Sequence, residues 1–596
     1  MCGIFGAFSH SGQPLDDATA HAMAQALDHR GPDAQGWASH SGVTVGNTRL
    51  SLIDLSAASN QPLVDEDGAV ALVQNGEIYN YIELRETLMA LGHRFHTTGD
   101  TEVLLRAYLE WGEGFVTRLN GMFAIALHDR RSGALLLARD RLGVKPLYLA
   151  QVGARVFFAS EIKALLSAGV VARANLTALS QYLALNYVPS PLTAFEGVHH
   201  LPPATCLRLD ASGETRSTYW RLSDVQPEPD MDASQAQATL RDLLDEATRV
   251  RLRADAPFGA FLSGGLDSTS VVASMRDHMA GAVRTYSIGF DDPRFDETPH
   301  AKAAAARFKT EHKVQIAEPD TTRLWPHFIH ACDQPHGDVS FMPMGMVSAL
   351  AARDVKMVLT GDGGDELFAG YTKYLTAHES DALSGPNWPE RFARDTGLFG
   401  PDAQFMGDLA DAFAADPHAP LSRAIASVPH QDPINQMLYG DTTVLLPGNN
   451  LVKPDRMAMA HSLEVRAPFL DYRMAEFAFQ MPGALKLEGG ETKAIYKAAM
   501  REIVGDTLTY RAKQMFTVPI GEWFRQALAG YCREVLLSGR FAARGLVDGA
   551  WLERLVEDHI GGRANHTRQV RALISLELWF RLFIDQDPAT LAEARP

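Results

Sequence analysis

Cysteine is scarce in this chain, and long apolar runs and an excess of basic residues are absent. The 596 residues include four cysteines with no CxxC pair, so neither a disulfide framework nor a structural zinc site is predicted. No apolar run approaches the roughly 20 residues that cross a bilayer. No basic stretch followed by an apolar one marks a signal peptide. Together these absences predict a cytoplasmic protein with no membrane partner.

The charge balance is acidic. The chain has 55 Lys and Arg against 72 Asp and Glu, a net charge of −17, which argues against nucleic acid or an anionic membrane as a partner. The net charge does not exclude small anionic ligands, because a few groups at the binding site hold such a ligand. At about 150 residues per domain, the length predicts more than one domain.

The N-terminal part is predicted to mix strands and helices. Residues 69–80, AVALVQNGEIYN, indicate a strand and a turn, and residues 81–92, YIELRETLMALG, a helix. Residues 121–160 alternate apolar runs with turn residues, as in an antiparallel meander. The composition then shifts to Ser, Asp and Pro. We therefore predict domains at 1–212 and 236–596 with a linker at 213–235, the alternative being a long loop within one domain.

Beyond residue 236, helices and strands alternate, which predicts a parallel sheet covered on both faces. Residues 257–279 and 355–370 each indicate a strand, a glycine loop and a helix, and residues 283–290 another strand. The region past about residue 380 is predicted to be mainly helical. The fold class is thus α/β combined with α+β.

The first glycine loop, SGGLDS at 263–268, suits a pyrophosphate with its metal ion. Gly264 and Gly265 allow the backbone to approach an anion, and the following helix turns free N–H groups toward it. Ser263 and Ser268 add hydroxyl donors, and Asp267 can hold Mg²⁺. No Walker A sequence occurs. The loop resembles the PP-loop of enzymes that cleave ATP to AMP and pyrophosphate, the alternative being an ordinary turn.

The second glycine loop is TGDGGDELFAGY at 360–371. Its carboxylates, Asp362, Asp365 and Glu366, follow a predicted strand, and open parallel sheets bind ligands at that end of their strands. One carboxylate can complete a magnesium site and another can act as a base. A solvated acidic turn is the alternative.

Cys2 follows the initiator methionine directly. If Met1 is removed, the α-amine of Cys2, with a pKa near 7.7–8.0, can serve as the base for its own thiol. Such a nucleophile needs an oxyanion hole, for which Asn75 and the N–H of Gly76 are candidates. A small buried cysteine is the alternative. Three further residues suit the charged ends of a glutamine substrate: Glu77 and Asp100 for its amine, and Arg49 for its carboxylate.

With these motifs in order, the sequence resembles the glutamine-hydrolysing asparagine synthetases over almost its whole length. The N-terminal half carries CGIFG, HRGPD, RLSLIDL, NGEIYNY and GDTE, and the C-terminal half FLSGGLDS, GDGGDELFAGY and ETKAIYKAA. The resemblance implies an N-terminal nucleophile αββα sandwich that hydrolyses glutamine. It also implies an α/β PP-loop domain with a helical C-terminal region that adenylates a carboxylate, and a homodimer is plausible from it.

The resemblance assigns roles residue by residue. Cys2 is expected to be the nucleophile, Lys493 to contact the transferring phosphates, and Asp362 to act in forming the adenylate, with ATP and Mg²⁺ at that site. The glutamine site is expected to comprise Arg49, Leu50, Ser51, Leu52, Ile53, Asn75, Gly76, Glu77 and Asp100. The ATP site is expected to comprise Leu262, Ser263, Gly264, Gly265, Asp267, Ser268, Ile288, Thr360 and Gly361, with Asp267 and Asp365 as metal ligands.

Two positions depart from the family pattern. The best-known bacterial members carry Glu where this chain has Asp362, and the family usually has glycine at the position of Met515. Both positions bear on the acceptor. The sequence therefore predicts asparagine formation from aspartate, with amidation of another carboxylate, such as a sugar uronate or a secondary-metabolite acid, as the alternative.

Three other classes of protein fit the sequence less well. A ring-closing relative would have no use for Cys2, Arg49, Asn75 and Asp100. Glutamine enzymes that make amino sugars or purine precursors lack the SGGLDS half. A catalytically inactive scaffold or sensor would not need the chemical groups that both predicted sites retain.

Overall fold

The computed structural model describes residues 2–318, 324–511 and 518–594. Strands β1 to β12 are Gly3–Ser9, Ala34–His40, Val43–Arg49, Leu63–Val64, Val70–Ile78, Gly121–Asp129, Ala134–Arg139, Tyr148–Val152, Arg155–Ala159, Val198–His200, Thr205–Asp210 and Gly213–Thr218. Strands β13 to β17 are Phe258–Phe261, Arg284–Phe290, Glu311–Ala317, Met357–Leu359 and Glu464–Arg466.

Helices α1 to α5 belong to the N-terminal part: Asp17–Ala26, Tyr81–Ala90, Asp100–Trp111, Ile162–Ser167 and Leu176–Leu185. Helices α6 to α16 are Ala233–Arg251, Leu266–His278, Thr298–Phe308, Trp325–Cys332, Phe341–Ala351, Gly364–Phe368, Thr372–Glu379, Trp388–Asp395, Gly407–Ala414, Ala419–Ala426 and Pro433–Gly440. Helices α17 to α27 are Val452–Met459, Tyr472–Gln480, Gly483–Lys486, Ala494–Val504, Asp506–Thr509, Ile520–Arg525, Ala529–Leu536, Arg540–Ala543, Gly549–Ile560, Thr567–Trp579 and Pro588–Ala594.

Two antiparallel sheets face each other in the N-terminal domain. Their strand orders are β10-β8-β9-β1-β3-β2 and β12-β11-β7-β6-β5-β4. Apolar side chains from both sheets, among them Ile4, Val45 and Val73, form the buried layer between them. Helix α1 packs on the outer face of the first sheet, and helices α2 and α3 cover the second. The layers are therefore αββα, which confirms the predicted sandwich.

A parallel sheet of order β15-β14-β13-β16-β17 forms the centre of the second domain. Val271 and Val272 of α7 pack on one face of the sheet, and Val347 and Leu350 of α10 pack on the other. Both faces are thus covered, as the alternation of strands and helices predicts. No helix in the described ranges combines the length and apolarity that a membrane crossing requires.

Two strands lie where the sequence pattern did not indicate them. Strand β12, Gly213–Thr218, falls in the range predicted as linker and extends the second sheet. The three-residue strand β17 lies within the predicted helical region and pairs with β16. Three residues are too few to show a period, so only the tertiary pairing reveals this strand. The domain boundaries themselves stay a prediction.

Candidate active sites

Cys2 directly precedes β1, whose Gly3 pairs with Thr48 on β3, and it is buried. Its backbone nitrogen donates to Asn75 Oδ1 at 3.2 Å. Burial raises the pKa of the Cys2 thiol, although hydrogen bonds from the Leu50 backbone and the Asn47 side chain oppose the rise. The thiol is therefore neutral near pH 7 and needs a base before it can attack.

The predicted oxyanion hole lies beside this thiol, on β5. Asn75 is fully buried, and its Nδ2 is 3.4 Å from Ser160 Oγ. Gly76 has φ +145°, and a Cβ there would lie 2.0 Å from the carbonyl oxygen of Met122. Glycine is thus required at this position, because any side chain would collide with β6.

Two carboxylates predicted to hold an amine are buried near each other. Asp100 begins α3 and accepts hydrogen bonds from Gln74 Nε2 at 2.7 Å and from the Ile78 backbone at 3.0 Å. Glu77 Oε1 lies 3.3 Å from Arg466, and Glu77 Oε2 is buried with no hydrogen-bond partner. Burial raises the pKa of both carboxyl groups. An incoming ammonium would satisfy the second oxygen of Glu77.

Arg49, predicted to bind a carboxylate, instead organises the loop that follows β3. Its Nη1 donates to the Ser56 carbonyl at 2.9 Å and to Asn60 Oδ1 at 2.7 Å. Its Nη2 donates to the carbonyl oxygens of Ile53 and Asp54. The predicted segment Leu50, Ser51, Leu52 and Ile53 is buried at the start of this loop. Contact of Arg49 with a ligand stays a prediction.

A second site lies at the carboxyl ends of β13, β14 and β16, around a cavity of about 1050 Å³. This volume is at the upper limit of ordinary small-molecule sites, so it has room for a nucleotide and a second molecule. Gly264 belongs to the 263–268 loop but does not line the cavity. Its φ is +74°, and a Cβ there would collide with His300 and Ala301. The other predicted residues that line the cavity are Leu262, Ser263, Gly265, Asp267, Ser268, Ile288, Thr360, Gly361, Asp362, Asp365 and Lys493.

Lys493 joins the two glycine loops. Its Nζ is 2.5 Å from Asp267 Oδ2 and 2.7 Å from Asp365 Oδ1. Burial disfavours the ammonium, but the two carboxylates outweigh it and raise the pKa of Lys493. Its backbone has φ +56°, a conformation that costs a non-glycine residue roughly 1–3 kcal/mol and marks functional positions. The lysine is therefore held charged between the two loops.

Asp362 occupies the wall of the same cavity. Its Oδ2 accepts a hydrogen bond from Thr360 Oγ1 at 2.7 Å. Burial raises the pKa of Asp362, and Asp267 and Asp365 add to the rise. A carboxylate with a raised pKa is a better proton acceptor near neutral pH, in line with the role expected for it.

The two sites are linked across the domain interface. Arg30 Nε donates to the Cys2 carbonyl at 3.1 Å, and its Nη1 donates to Asp455 Oδ2 at 2.9 Å. Asp455 in turn lines a cavity of about 20 Å³ that Asp362 also lines. That volume holds about one water-sized molecule. The remaining walls are Val144, Lys145, Leu451, Pro454, Val465, Ala467 and Leu470.

Both halves of the chain match known protein families. A family model described as asparagine synthase matches residues 239–581, and one described as a glutamine amidotransferase domain matches residues 1–220. Glutamine-hydrolyzing asparagine synthetase 1 of Bacillus subtilis (strain 168) is 31% identical over 98% of this chain and 97% of its own length. The chain belongs to the asparagine synthase family.

Two further relatives carry different names, one an asparagine synthetase and the other an amidase. Glutamine-hydrolyzing asparagine synthetase 3 of Bacillus subtilis (strain 168) is 29% identical over 98% of this chain and its whole length. Amidase chyE of Penicillium rubens is 27% identical over 94% of each chain. Enzymes of the asparagine synthase family are ATP-dependent ligases with glutamine as amido donor, and the family resemblance read from the sequence is confirmed.

The metal ligands expected for the family fit the geometry of the second site. Mg²⁺ is commonly held by one or two carboxylates together with substrate phosphates, and Asp267 and Asp365 converge on one point beside the 263–268 loop. Among the described residues, no group of three or more His, Cys, Asp or Glu side chains could hold a metal by itself. Phosphate oxygens would have to supply the other ligands.

Sequence reasoning missed several residues of the two sites. Arg30 lies inside the motif HRGPD, and Asp455 begins the segment DRMAMAHSLEVRAPFLD at 455–471. Their positions in the sequence gave no sign that they meet. Lys453 lines the large cavity and contacts Asp338 at 3.0 Å. A lone lysine before proline carries no signal of its own. Met1 and Met515 lie outside the described residues.

Proposed function

We propose that the protein is a glutamine-dependent asparagine synthetase, which converts aspartate, glutamine and ATP to asparagine, glutamate, AMP and pyrophosphate. The observation that supports this most strongly is the physical link between the sites. Cys2 contacts Arg30, Arg30 contacts Asp455, and Asp455 and Asp362 share one small cavity. A glutaminase alone, or an adenylating enzyme alone, would have no use for this connection.

In the first half-reaction, Cys2 Sγ attacks the side-chain amide of glutamine. The α-amine of Cys2, exposed once Met1 is removed, accepts the thiol proton, and Asn75 Oδ1 orients that nitrogen. An amide nitrogen carries two hydrogens, so Asn75 Nδ2 can donate to the oxyanion together with the Gly76 N–H. Collapse of the intermediate releases ammonia and leaves a γ-glutamyl thioester, which water hydrolyses to glutamate.

We propose that ammonia then passes through the small cavity at the interface. Six of its nine lining residues are apolar, among them Leu451, Val465 and Ala467, which favours neutral ammonia over ammonium. Of the two carboxylates on its wall, Asp455 is already paired with Arg30. Burial lowers the pKa of Lys145, which also lines this cavity. Asp455, whose Oδ1 lies 3.7 Å from Lys145 Nζ, opposes this shift.

In the second half-reaction, a carboxylate oxygen of the acceptor attacks the α-phosphate of ATP and expels pyrophosphate. Lys493, held charged by Asp267 and Asp365, offsets the charge that develops on the transferring phosphates. Mg²⁺, when bound by these carboxylates, would neutralise pyrophosphate as a leaving group. Ammonia attacks the acyl carbon, Asp362 accepts a proton, and AMP leaves with the amide formed.

Amidation of a different carboxylate is the second candidate. Asp362 shortens the side chain by one methylene relative to the glutamate of the best-known bacterial members, which alters the wall against the acceptor. A relative named as an amidase aligns over 94% of this chain. Both observations support an acceptor other than aspartate on the same machinery.

The deciding experiment measures product formation. Purified protein is incubated with glutamine, ATP, Mg²⁺ and aspartate, and asparagine and AMP are quantified. Asparagine and AMP in equal amounts support the proposal. AMP and pyrophosphate that appear only with another acid support the second candidate, and no release of AMP with any acid contradicts both.

A further inference from the structure

The large cavity of the second domain is lined by cationic side chains that nearly all have carboxylate partners. Within the described part of the chain, each of these contacts is between groups on the cavity wall, so the charges largely cancel. The paired cations are Lys493 with Asp267 and Asp365, Arg511 with Glu297, Lys453 with Asp338, Lys497 with Glu491, and Arg525 with Glu522.

Arg568 and Arg571 are the exceptions among the described residues. Both line the cavity, and neither has a carboxylate within ion-pair distance of its guanidinium. They lie three residues apart on α26, Thr567–Trp579, so they share one face of that helix. Arg568 is exposed, whereas Arg571 is 8% exposed and its Nε has no hydrogen-bond partner.

A buried guanidinium without a counterion is unfavourable, because burial removes its hydration and nothing replaces it. Burial lowers the pKa of Arg571 to about 10, and Arg568 adds to the effect. Asp338 offsets it only in part, since that carboxylate already contacts Lys453 at 3.0 Å. Among the described residues, the fold thus maintains a buried cationic position with no carboxylate partner, which an anionic ligand would supply.

We propose that Arg571 and Arg568 form an anion subsite that binds a second oxyanion of the acceptor, separate from the carboxyl group that is activated. Naming the acceptor as the ligand rests on the proposed function. A guanidinium binds a carboxylate or phosphate through two parallel hydrogen bonds. The loop at 263–268 and Lys493 already serve the nucleotide phosphates, so these two arginines are left for the other ligand.

The subsite shares its cavity with Asp362, and Asp338 and Lys453 of the same cavity wall connect the two. Arg571 is coupled electrostatically to Asp338, which contacts Lys453, and Lys453 acts in turn on Asp362. An acceptor with two anionic groups can place one carboxyl beside Asp362 and the other group on Arg571. Aspartate meets this requirement, as does a uronic acid linked to a nucleoside diphosphate, whereas a free uronic acid does not.

The first test is independent of the acceptor's identity. Wild-type protein saturated with Mg²⁺ and a non-hydrolysable ATP analogue is titrated with inorganic phosphate, and the apparent dissociation constant is taken from the rise in thermal unfolding temperature. Arg571→Gln and Arg568→Gln should each weaken phosphate binding about 10-fold or more, and Arg571→Lys less. Arg563→Gln, which removes an exposed arginine of the same region, should leave phosphate binding unchanged.

The second test compares matched acids by release of AMP and pyrophosphate. The pairs are L-aspartate with its α-amide, and UDP-glucuronate with free glucuronate. The member with the second anion should be used, and Arg571→Gln should raise its KM about 10- to 100-fold, with the KM for ATP and the glutaminase rate unchanged.

Each outcome bears on one proposal. Equal use of both members of a pair, a shift in the KM for ATP alone, or phosphate binding that is absent or equal in all variants overturns the anion subsite. If phosphate binds at Arg571 but no acid releases AMP, the subsite stands and the proposed function fails. Intact glutaminase activity shows that Arg571→Gln has folded.

Discussion

The guanidinium of Arg466 lies 3.3 Å from the carboxylate of Glu77, across the interface of the two domains, and both side chains are buried. The carbonyl oxygen of the same residue accepts a hydrogen bond from the Thr360 N–H at 2.9 Å. Arg466 therefore touches a residue expected to hold glutamine and a residue on the wall of the large cavity. A single residue thus connects the two sites through non-covalent contacts.

Replacement of Arg466 by Gln should raise the KM for glutamine about 10- to 100-fold. Burial already raises the pKa of Glu77, and the charge of Arg466 is the strongest influence against that rise. Loss of the guanidinium therefore leaves Glu77 protonated and unable to pair with the substrate amine. Steady-state glutaminase kinetics measure this change. Arg473→Gln, which removes a half-exposed arginine after β17, is the control, and an unchanged KM in Arg466→Gln would contradict the role of Glu77.

Cys2→Ala should abolish glutamine-dependent amide synthesis, by about 10³-fold or more, while synthesis from added ammonium chloride persists. The thiol acts only in the first half-reaction, and the second site is intact. Product assays with each nitrogen source separate the two activities. Cys206→Ala, a change to another buried cysteine, should retain both, and joint loss of both activities in Cys2→Ala would refute the two-site arrangement.

Asp267→Asn should reduce pyrophosphate release about 10²- to 10³-fold and leave glutamine hydrolysis intact. The substitution removes one of the two carboxylates that hold Lys493 and would hold the metal. Pyrophosphate release and glutamate formation are measured on the same preparation. Asp277→Asn, on the exposed face of the same helix, should alter neither, and an active Asp267→Asn enzyme would exclude Asp267 from the phosphate site.

Ala467→Leu should uncouple the two half-reactions. The added carbons fill a cavity of only about 20 Å³, so glutamine is still hydrolysed and added ammonium still used, but glutamate exceeds AMP when glutamine is the nitrogen source. The glutamate to AMP ratio measures the leak. Ala478→Leu overpacks a fully buried position away from that cavity, and equal ratios in the two variants would exclude this route for ammonia.

Lys486→Met should change how stability depends on pH. Burial lowers the pKa of Lys486 to about 7, and Asp432 offsets this only in part, whereas an unfolded lysine titrates near about 10.4. Between these values the unfolded chain binds more protons, so Lys486 makes the free energy of unfolding rise with pH. Between pH 7 and pH 10 the thermal unfolding temperature should rise less in Lys486→Met than in the wild type. It should also rise less than in Lys302→Met, which changes an exposed lysine. Equal slopes in the three proteins would contradict a lowered pKa of Lys486.

The sequence by itself determined the elements that carry the candidate site residues, and it predicted the chemistry of each site. Cys2, NGE at 75–77, SGGLDS and GDGGDE are local patterns. The structure places Cys2 directly before β1, NGE in the last four residues of β5, and the two glycine loops just after β13 and β16. Such patterns are readable because a strand, a glycine turn and a helix start depend on neighbouring residues. The parallel sheet covered on both faces follows from the same periodicities, whereas the αββα sandwich was implied by the family resemblance.

Only the tertiary structure decided which distant residues meet. Arg30 and Asp455, and Glu77 and Arg466, are each separated by hundreds of residues and form contacts buried between the domains. The sequence likewise did not predict the hydrogen bonds that Arg49 makes to its own loop. Nor did it predict that Arg571 has no carboxylate beside it among the residues that the structure describes. A pairing of this kind depends on which surfaces are buried against each other, and no local pattern encodes that choice because the free energy comes from packing the whole interface.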